Sequence, residues 1–289
     1  MRRLIKVSGG KLKDIYKRKY DLFITFVDKV DEDVIPDGEY YTHEEFAGYI
    51  REARPYGVIC SVDTQDELDF LINLIYDFVG SIYLFIKHNR VFDLTLMEKC
   101  AELDAVQLYH NTKQAVLWDV KKNTKLRGFE IMDYYHISDL SMFAGSSVEM
   151  LRFYGCNGCS SFVSKMHVDD FSFVMDMPRL TELGFDIIKD EASEYYLRIL
   201  SRLQGLKVLY TPHGFFTFQQ FAWLRAKLPN VEKGLDCITS FDDSCSIIGR
   251  KTPKMLDDPK KAEQYQKRYD ALVEKYKNRE NPPLDSEKD

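Results

Sequence analysis

The stretch Leu103-Asp104-Ala105-Val106-Gln107-Leu108-Tyr109-His110-Asn111 puts apolar residues at its first, fourth and sixth places, and that spacing returns along the chain. It recurs as Val79-x-x-Ile82-x-Leu84, Leu126-x-x-Phe129-x-Ile131, Val148-x-x-Leu151-x-Phe153, Leu180-x-x-Leu183-x-Phe185 and Leu206-x-x-Leu209-x-Thr211. A further copy beginning at Val231 is disturbed by an extra residue before Leu235. Successive starts lie 24, 23, 22, 32, 26 and 25 residues apart, and the long interval predicts a surface insertion. Within each unit the fourth and sixth residues share one side of a short strand and point inward, while the fifth and seventh point outward. No single unit can enclose its apolar side. Stacked parallel units can share an interior, with each connection carrying the chain back to the start of the next strand.

The units over residues 79–238 resemble irregular leucine-rich repeats of bacterial type, whose period is about 20–29 residues. Asn111 stands where that family carries asparagine, whereas Lys87, Tyr134, Cys156, Ile188 and Gly214 occupy the place in other units. The resemblance implies an α/β solenoid with a parallel sheet on one face and mostly helical returns on the other, capped at both ends.

Outside these units the reading stays compatible. Residues 21–27 and 58–62 form apolar runs that predict buried strands. Thr42-His-Glu-Glu45, Thr64-Gln-Asp-Glu67 and Thr217-Phe-Gln-Gln220 each have the hydroxyl-to-carboxamide or carboxylate spacing of a capping box before a periodic apolar face. Tyr196, Leu197, Leu200 and Leu203 gather on one helical face within residues 191–203, and residues 139–143 predict a shorter turn of helix. The strand and helix after Ala53 predict an additional repeat-like unit. The expected organisation is an N-terminal cap over residues 1–52 and a solenoid over 53–238. A connection and capping helix over 239–277, with Tyr265, Tyr269, Leu272 and Tyr276 on one stripe, precede a frayed tail over 278–289.

The chain has 289 residues, 45% of them apolar, which suffices for a continuous core. A formal charge of -6, with both signs interspersed, disfavours a nucleic-acid surface, which needs a concentrated positive field. The densest basic stretch, residues 11–19, is expected to be a solvated face. No run approaches a membrane span and the start lacks a signal-peptide core, so a soluble, cytoplasmic protein without membrane partners is expected. Six scattered cysteines predict reduced thiols.

Candidate chemistry is weighed against plainer roles. Cys156-Asn-Gly-Cys159 has the spacing of a redox pair or half a zinc site, but it follows a strand in a glycine turn and lacks a second pair. His88, His110 and His213 follow repeat strands and would line one edge of the sheet; a surface role is expected for them. His43-Glu-Glu-Phe-Ala47 has Ala47 where a zinc-protease helix needs histidine. Acidic pairs such as Asp169-Asp170 and Asp242-Asp243 would need facing geometry in a cleft to support hydrolysis. No catalytic residue, cofactor or metal site is therefore assigned.

The surface expected to matter is the outward side of the sheet. Its fifth positions are Tyr83, Gln107, Glu130, Arg152, Gly184 and Tyr210, and its seventh positions include Phe85, Tyr109, Met132 and Tyr154. Aromatic groups bury area at low rotamer cost, while Gln107, Glu130 and Arg152 can select orientation. Tyr83, Phe85, Gln107, Tyr109, Glu130, Met132, Arg152, Tyr154 and Tyr210 are the expected contacts for a protein partner in a noncatalytic interaction module. Carbohydrate binding and a bacterial immunity-like role in masking a toxin are the alternative readings. A terminal segment of the chain, or a neighbouring subunit, could also cover the same columns.

Overall fold

The computed structural model describes residues 4–10, 12–28, 38–86, 90–109, 111, 113–154, 165–212, 214–241, 244–249, 255–256 and 258–287. Apolar runs at residues 58–62 and 82–86, and at the matching places of later units, become strands because both backbone edges find parallel partners. In chain order the elements begin with β1 (Leu4–Gly9), β2 (Leu22–Val27), β3 (Glu39–Tyr41), α1 (His43–Ala53), β4 (Gly57–Val62) and α2 (Gln65–Ile75). The repeat strands follow as β5 (Ser81–Ile86), β6 (Ala105–Tyr109), β7 (Gly128–Met132), β8 (Met150–Tyr154), β9 (Glu182–Phe185) and β10 (Val208–Tyr210). Helices α3 (Ser193–Leu200) and α4 (Phe218–Lys227) flank β10 in sequence. A small antiparallel sheet, β11 (Ile238–Phe241), β12 (Ser244–Ile247) and β13 (Met255–Leu256), leads to α5 (Pro259–Tyr276).

One ten-stranded sheet runs in the order β10-β9-β8-β7-β6-β5-β4-β2-β1-β3. From β2 through β4 to β10 every neighbouring pair is parallel; β1 alone pairs antiparallel, with β2 on one side and β3 on the other. The result is a solenoid-like α/β stack. Val58 lies opposite Ile82, so the unit foreseen near Ala53 has its first position at Pro55 and joins the same register.

The inward rows pack without a break. Val58, Ile82, Val106, Phe129, Leu151, Leu183 and Leu209 form one, and Cys60, Leu84, Leu108, Ile131, Phe153 and Phe185 the next, all at most 1% exposed. Phe129 meets Phe143 edge-on at 4.9 Å, and Phe171 meets Phe185 likewise at 5.1 Å. Cys60, Cys100 and Cys237 are buried free thiols within this interior. Burial pushes the Cys100 and Cys237 thiols up to about 12, so they pack as small apolar groups.

Thr42, Thr64 and Thr217 cap α1, α2 and α4 with both halves of the capping box present, as their spacing predicts. Helices alternate with the strands as expected, but the kind of helix changes along the stack. Among the described residues between β5 and β9 the returns hold 3-10 helices, at Thr95–Lys99, Val120–Lys122, Ser141–Phe143 and Phe171–Asp176. Unit length alone does not decide this, since the unit that starts at Pro55 holds the 11-residue α2 whereas the longest interval holds the 3-10 helix at Phe171–Asp176. Buried amides satisfy the irregular backbone instead. Asn123 donates to Met97 O (2.8 Å) and Cys100 O (3.0 Å) and accepts from Trp118 Nε1 (2.7 Å). Asn111 donates to Arg90 O at 2.6 Å, and Gln114 links Phe92 to the next return. The insertion foreseen after β8 falls largely on residues 155–164, outside the described residues.

At the far end, Tyr269 and Tyr276 of α5 are buried and Tyr265 and Leu272 pack against the core, with the Tyr269 hydroxyl donating to Leu235 O at 2.8 Å. Beyond α5, where prolines and charges predict fraying, residues 278–287 pack along α3 and α4. Trp223 Nε1 donates to Arg279 O (3.0 Å), Gln220 to Pro283 O (3.0 Å) and Arg198 to Asn281 Oδ1 (3.0 Å). Asp285 accepts from Ser193 Oγ at 2.5 Å and faces Lys189 at 3.4 Å. Helix α3 begins after Ala192, which has no capping side chain, and Ser193 N lies 3.4 Å from Asp285 Oδ2. The tail carboxylate thus stands where a local cap would.

Two outcomes are expected. Truncating Phe129, fully buried between Trp118 and Phe143, should cost about 3–5 kcal/mol in urea unfolding, while Val116→Ala, at a side chain 69% exposed, should stay within about 0.5 kcal/mol. The hydrogen bonds of Arg279 and of Leu284 N hold Glu287 down to about 2. For Asp285, partial burial opposes ionisation, but Ser193, Gln220 and Lys189 outweigh it and lower its value. Both groups therefore add stability that is complete above the ordinary carboxylate range of about 4 and is lost as pH falls below it, for Glu287 as pH falls toward 2. Thermal midpoints measured across that window should fall more steeply for the wild type than for Glu287→Gln, and parallel curves would remove the tail from the account.

Candidate interaction surface

The register places the outward residues in rows. Tyr83, Gln107, Glu130, Arg152, Gly184 and Tyr210 are successive Cα partners across β5 to β10, and Phe85, Tyr109, Met132 and Tyr154 form the neighbouring row across β5 to β8. Every one of the nine residues singled out for this surface therefore lies on one face. Because strand side chains alternate, this follows from the inward burial of the residues between them.

The polar side chains of the first row are joined end to end. Gln107 Nε2 donates to Glu130 Oε1 at 2.7 Å, and Arg152 Nη1 lies 3.3 Å from Glu130 Oε2. The same guanidinium donates from Nε to Glu182 Oε1 at 2.6 Å and also reaches it through Nη2. Burial works against the Arg152 charge, yet Glu182 and Glu130 more than offset it and raise its pKa. The Glu130, Glu182 and Arg152 side chains are 13%, 12% and 23% exposed, so water screens this chain of charges only in part.

Aromatic rings frame it. Tyr83 and Tyr109 lie 5.8 Å apart between centroids and Phe85 and Tyr109 6.2 Å. Tyr154 covers Gly184: a Cβ there would sit 2.2 Å from the Tyr154 hydroxyl, so only glycine lets the ring lie across β9. The Arg152 guanidinium lies 5.8 Å from the centre of the Tyr210 ring, which is 39% exposed. Burial pushes the Tyr83 and Tyr154 phenols above the ordinary range, leaving both neutral hydrogen-bonding groups at any physiological pH.

One part of the face is covered by the chain itself. The connection between β1 and β2 crosses the sheet instead of forming a solvated basic loop. Ile15 and Tyr20 are buried, and the Tyr20 hydroxyl donates to Gln107 Oε1 at 2.8 Å while its ring meets Tyr83 edge-on at 6.1 Å. Asp14, 2% exposed at its side chain, accepts from the backbone of Tyr16 and Arg18 and from Arg18 Nε. Arg18 Nη1 continues to Asp104 at 2.8 Å, where Arg127 Nε also binds at 2.7 Å and the Tyr56 hydroxyl at 2.9 Å. Burial opposes ionisation of Asp104, but these donors outweigh it and hold its carboxyl below the usual range.

Periodicity does not announce this crossing, although the sequence carries a signal for it. The strand positions beneath it are Gly57, Ser81, Ala105 and Gly128, which share one row and are all small. At Gly128 a Cβ would stand 2.7 Å from Ile15 Cγ2 and 2.9 Å from Tyr16 Cε2. Lys13, Lys17 and Lys19 still point to solvent, as does Leu12, whereas Arg18 turns to Asp14 and Asp104.

Other sequence candidates do not converge on the face. His167 lies between Asp169 (3.2 Å) and Asp190 (2.5 Å) at an exposed site, Asp170 caps the 3-10 helix at Phe171–Asp176, and His43 packs against Phe70 at 4.7 Å. Asp169 and Asp170 thus serve different partners. Cys156, Cys159, His88, His110, His213, Asp242 and Asp243 lie outside the described residues. Among the described residues no group of three or more His, Cys, Asp or Glu side chains is arranged to hold a metal ion, and no helix is long and apolar enough to cross a membrane.

Replacing Gly128 by valine should displace the crossing segment and lower stability by about 1–3 kcal/mol in thermal unfolding, whereas Gly205→Ala, with only a carbonyl at 3.7 Å, should change little. Equal effects at the two sites would mean that the loop is not seated on β7. The chain matches no protein-family model, and no curated protein is significantly similar to it.

Proposed function

We propose that the protein is a leucine-rich-repeat-like interaction module that binds a protein partner through the exposed part of its sheet face, without catalysing a reaction. The observation that carries this reading is the single row Tyr83–Gln107–Glu130–Arg152–Gly184–Tyr210, flanked by Phe85, Tyr109, Met132 and Tyr154. Tyrosine and arginine held in fixed positions by their neighbours lose little conformational freedom on binding, and they dominate the energetics of protein interfaces. Glu130 and Arg152 are tied to each other and to Gln107 and Glu182, which favours a positioning role over proton transfer. The leucine-rich-repeat assignment rests on the apolar spacing and its 22- to 26-residue period outside the one long interval, and on the buried Asn111.

The test is affinity capture from the native host lysate with the wild type and with Tyr109→Ala and Tyr210→Ala, each checked for an unchanged melting midpoint. A specific partner should be recovered by the wild type and fall roughly 30-fold with at least one variant, the effect of losing about 2 kcal/mol at an interface hot spot. Unchanged recovery of every specific partner by both folded variants would move the binding surface elsewhere.

A further inference from the structure

Resting on that reading, we infer that the partner presents a cationic side chain, arginine or lysine on an extended polypeptide, to the carboxylates of Glu130 and Glu182 between the rings of Tyr109 and Tyr210. The two carboxylates share one guanidinium, that of Arg152. The linked group therefore keeps one unit of negative charge while both acids are largely shielded from water. A negative charge in such a setting is poorly screened, so an incoming cation gains more there than at the open surface.

The aromatic surroundings favour the same sign. Ring faces attract cations, and the molecule already uses this at the site itself, with Arg152 lying 5.8 Å from the Tyr210 centroid. A partner carboxylate would meet Glu130 and Glu182 at close quarters and would have to displace one of them from Arg152. A sugar would find the rings but leave the excess charge uncompensated. Tyr20 already occupies part of the face at Tyr83 and Gln107. The two acids lie beyond it, on β7 and β9.

The experiment uses the full chain and two labelled peptides of equal length, one bearing arginines and one glutamates on the same glycine-serine background, in fluorescence anisotropy at low ionic strength. The arginine peptide should bind saturably and weaken as salt is raised from about 0.01 to 0.15 M. Glu182→Gln and Tyr210→Ala should each weaken it about tenfold, the size of one exposed-to-partly-buried charge or cation–π contact. Glu44→Gln, on α1 away from the face, should leave it unchanged.

No saturable binding, equal binding of the glutamate peptide, or equal weakening by Glu44→Gln would overturn the inference. A concentration-dependent mass in light scattering that Tyr210→Ala abolishes would give the face to a second copy instead, and would overturn it too. If the peptides fail while Tyr109→Ala or Tyr210→Ala still removes a captured partner, the protein-binding reading stands and only the charge assignment falls.

Discussion

Parallel pairing without a slip is the constraint from which the rest of this structure follows. Between β4 and β9 each strand places its fourth and sixth repeat residues beside those of the next, so apolar side chains from distant parts of the chain form continuous rows. A slip of one residue in any unit would turn Phe129 or Phe153 to water and bury Glu130 or Arg152. The Gln107–Glu130–Arg152–Glu182 chain stands on the opposite side of the same backbone, so a slip would break it as well. Core and surface are thus selected by one register, and neither can be altered without the other.

The crossing segment between β1 and β2 shows how a repeat protein narrows its own open face. Covering Gly57, Ser81, Ala105 and Gly128 buries Ile15 and Tyr20, but it also takes Asp14 out of water. That cost is offset because Arg18 and two backbone donors meet the carboxylate, and because Asp104 receives Arg18, Arg127 and Tyr56 together. Tyr20 carries the segment to Gln107 in the outward row, while Ile15 and Tyr16 reach β7 at Gly128. An anchored loop at one edge and Tyr154 laid over Gly184 at the other leave a surface with little freedom to rearrange.

The strands of the units and their outward rows were legible because a period of 2 inside a strand and a period near 24 between strands leave one arrangement that hides the apolar residues. Capping at Thr42, Thr64 and Thr217 was legible because it is local, depending on residues three apart. The form of the returns was not. Asn123 and Gln114 fix their connections through bonds to carbonyls in neighbouring returns, and no periodic pattern announces such a bond. The crossing loop escaped for a different reason: its lysines suggested solvent, and the meaning of Ile15, Tyr16 and Tyr20 appears only beside small residues more than thirty positions away. On the face itself, the fifth and seventh positions could be named from spacing, whereas Glu182 and Tyr20 join only through the folded register.

Ends are the remaining physical problem of a stacked fold, since the first and last units have apolar surface and strand edges with no successor. At one end β1 reverses direction between β2 and the short β3, changing the sheet from parallel to antiparallel and ending the repeat. At the other end α4 and α5 close over the core, with Tyr269 and Tyr276 buried between them and the last unit. Residues 278–287 then return to α3, whose first turn has no capping side chain of its own, and bring Asp285 to Ser193 and Lys189. A local cap at Ala192 would have steadied α3 without reference to the rest of the chain. Supplying it from position 285 ties the start of α3 to the same tail that binds α4 through Gln220 and Trp223, so the two helices of this end share one closing segment.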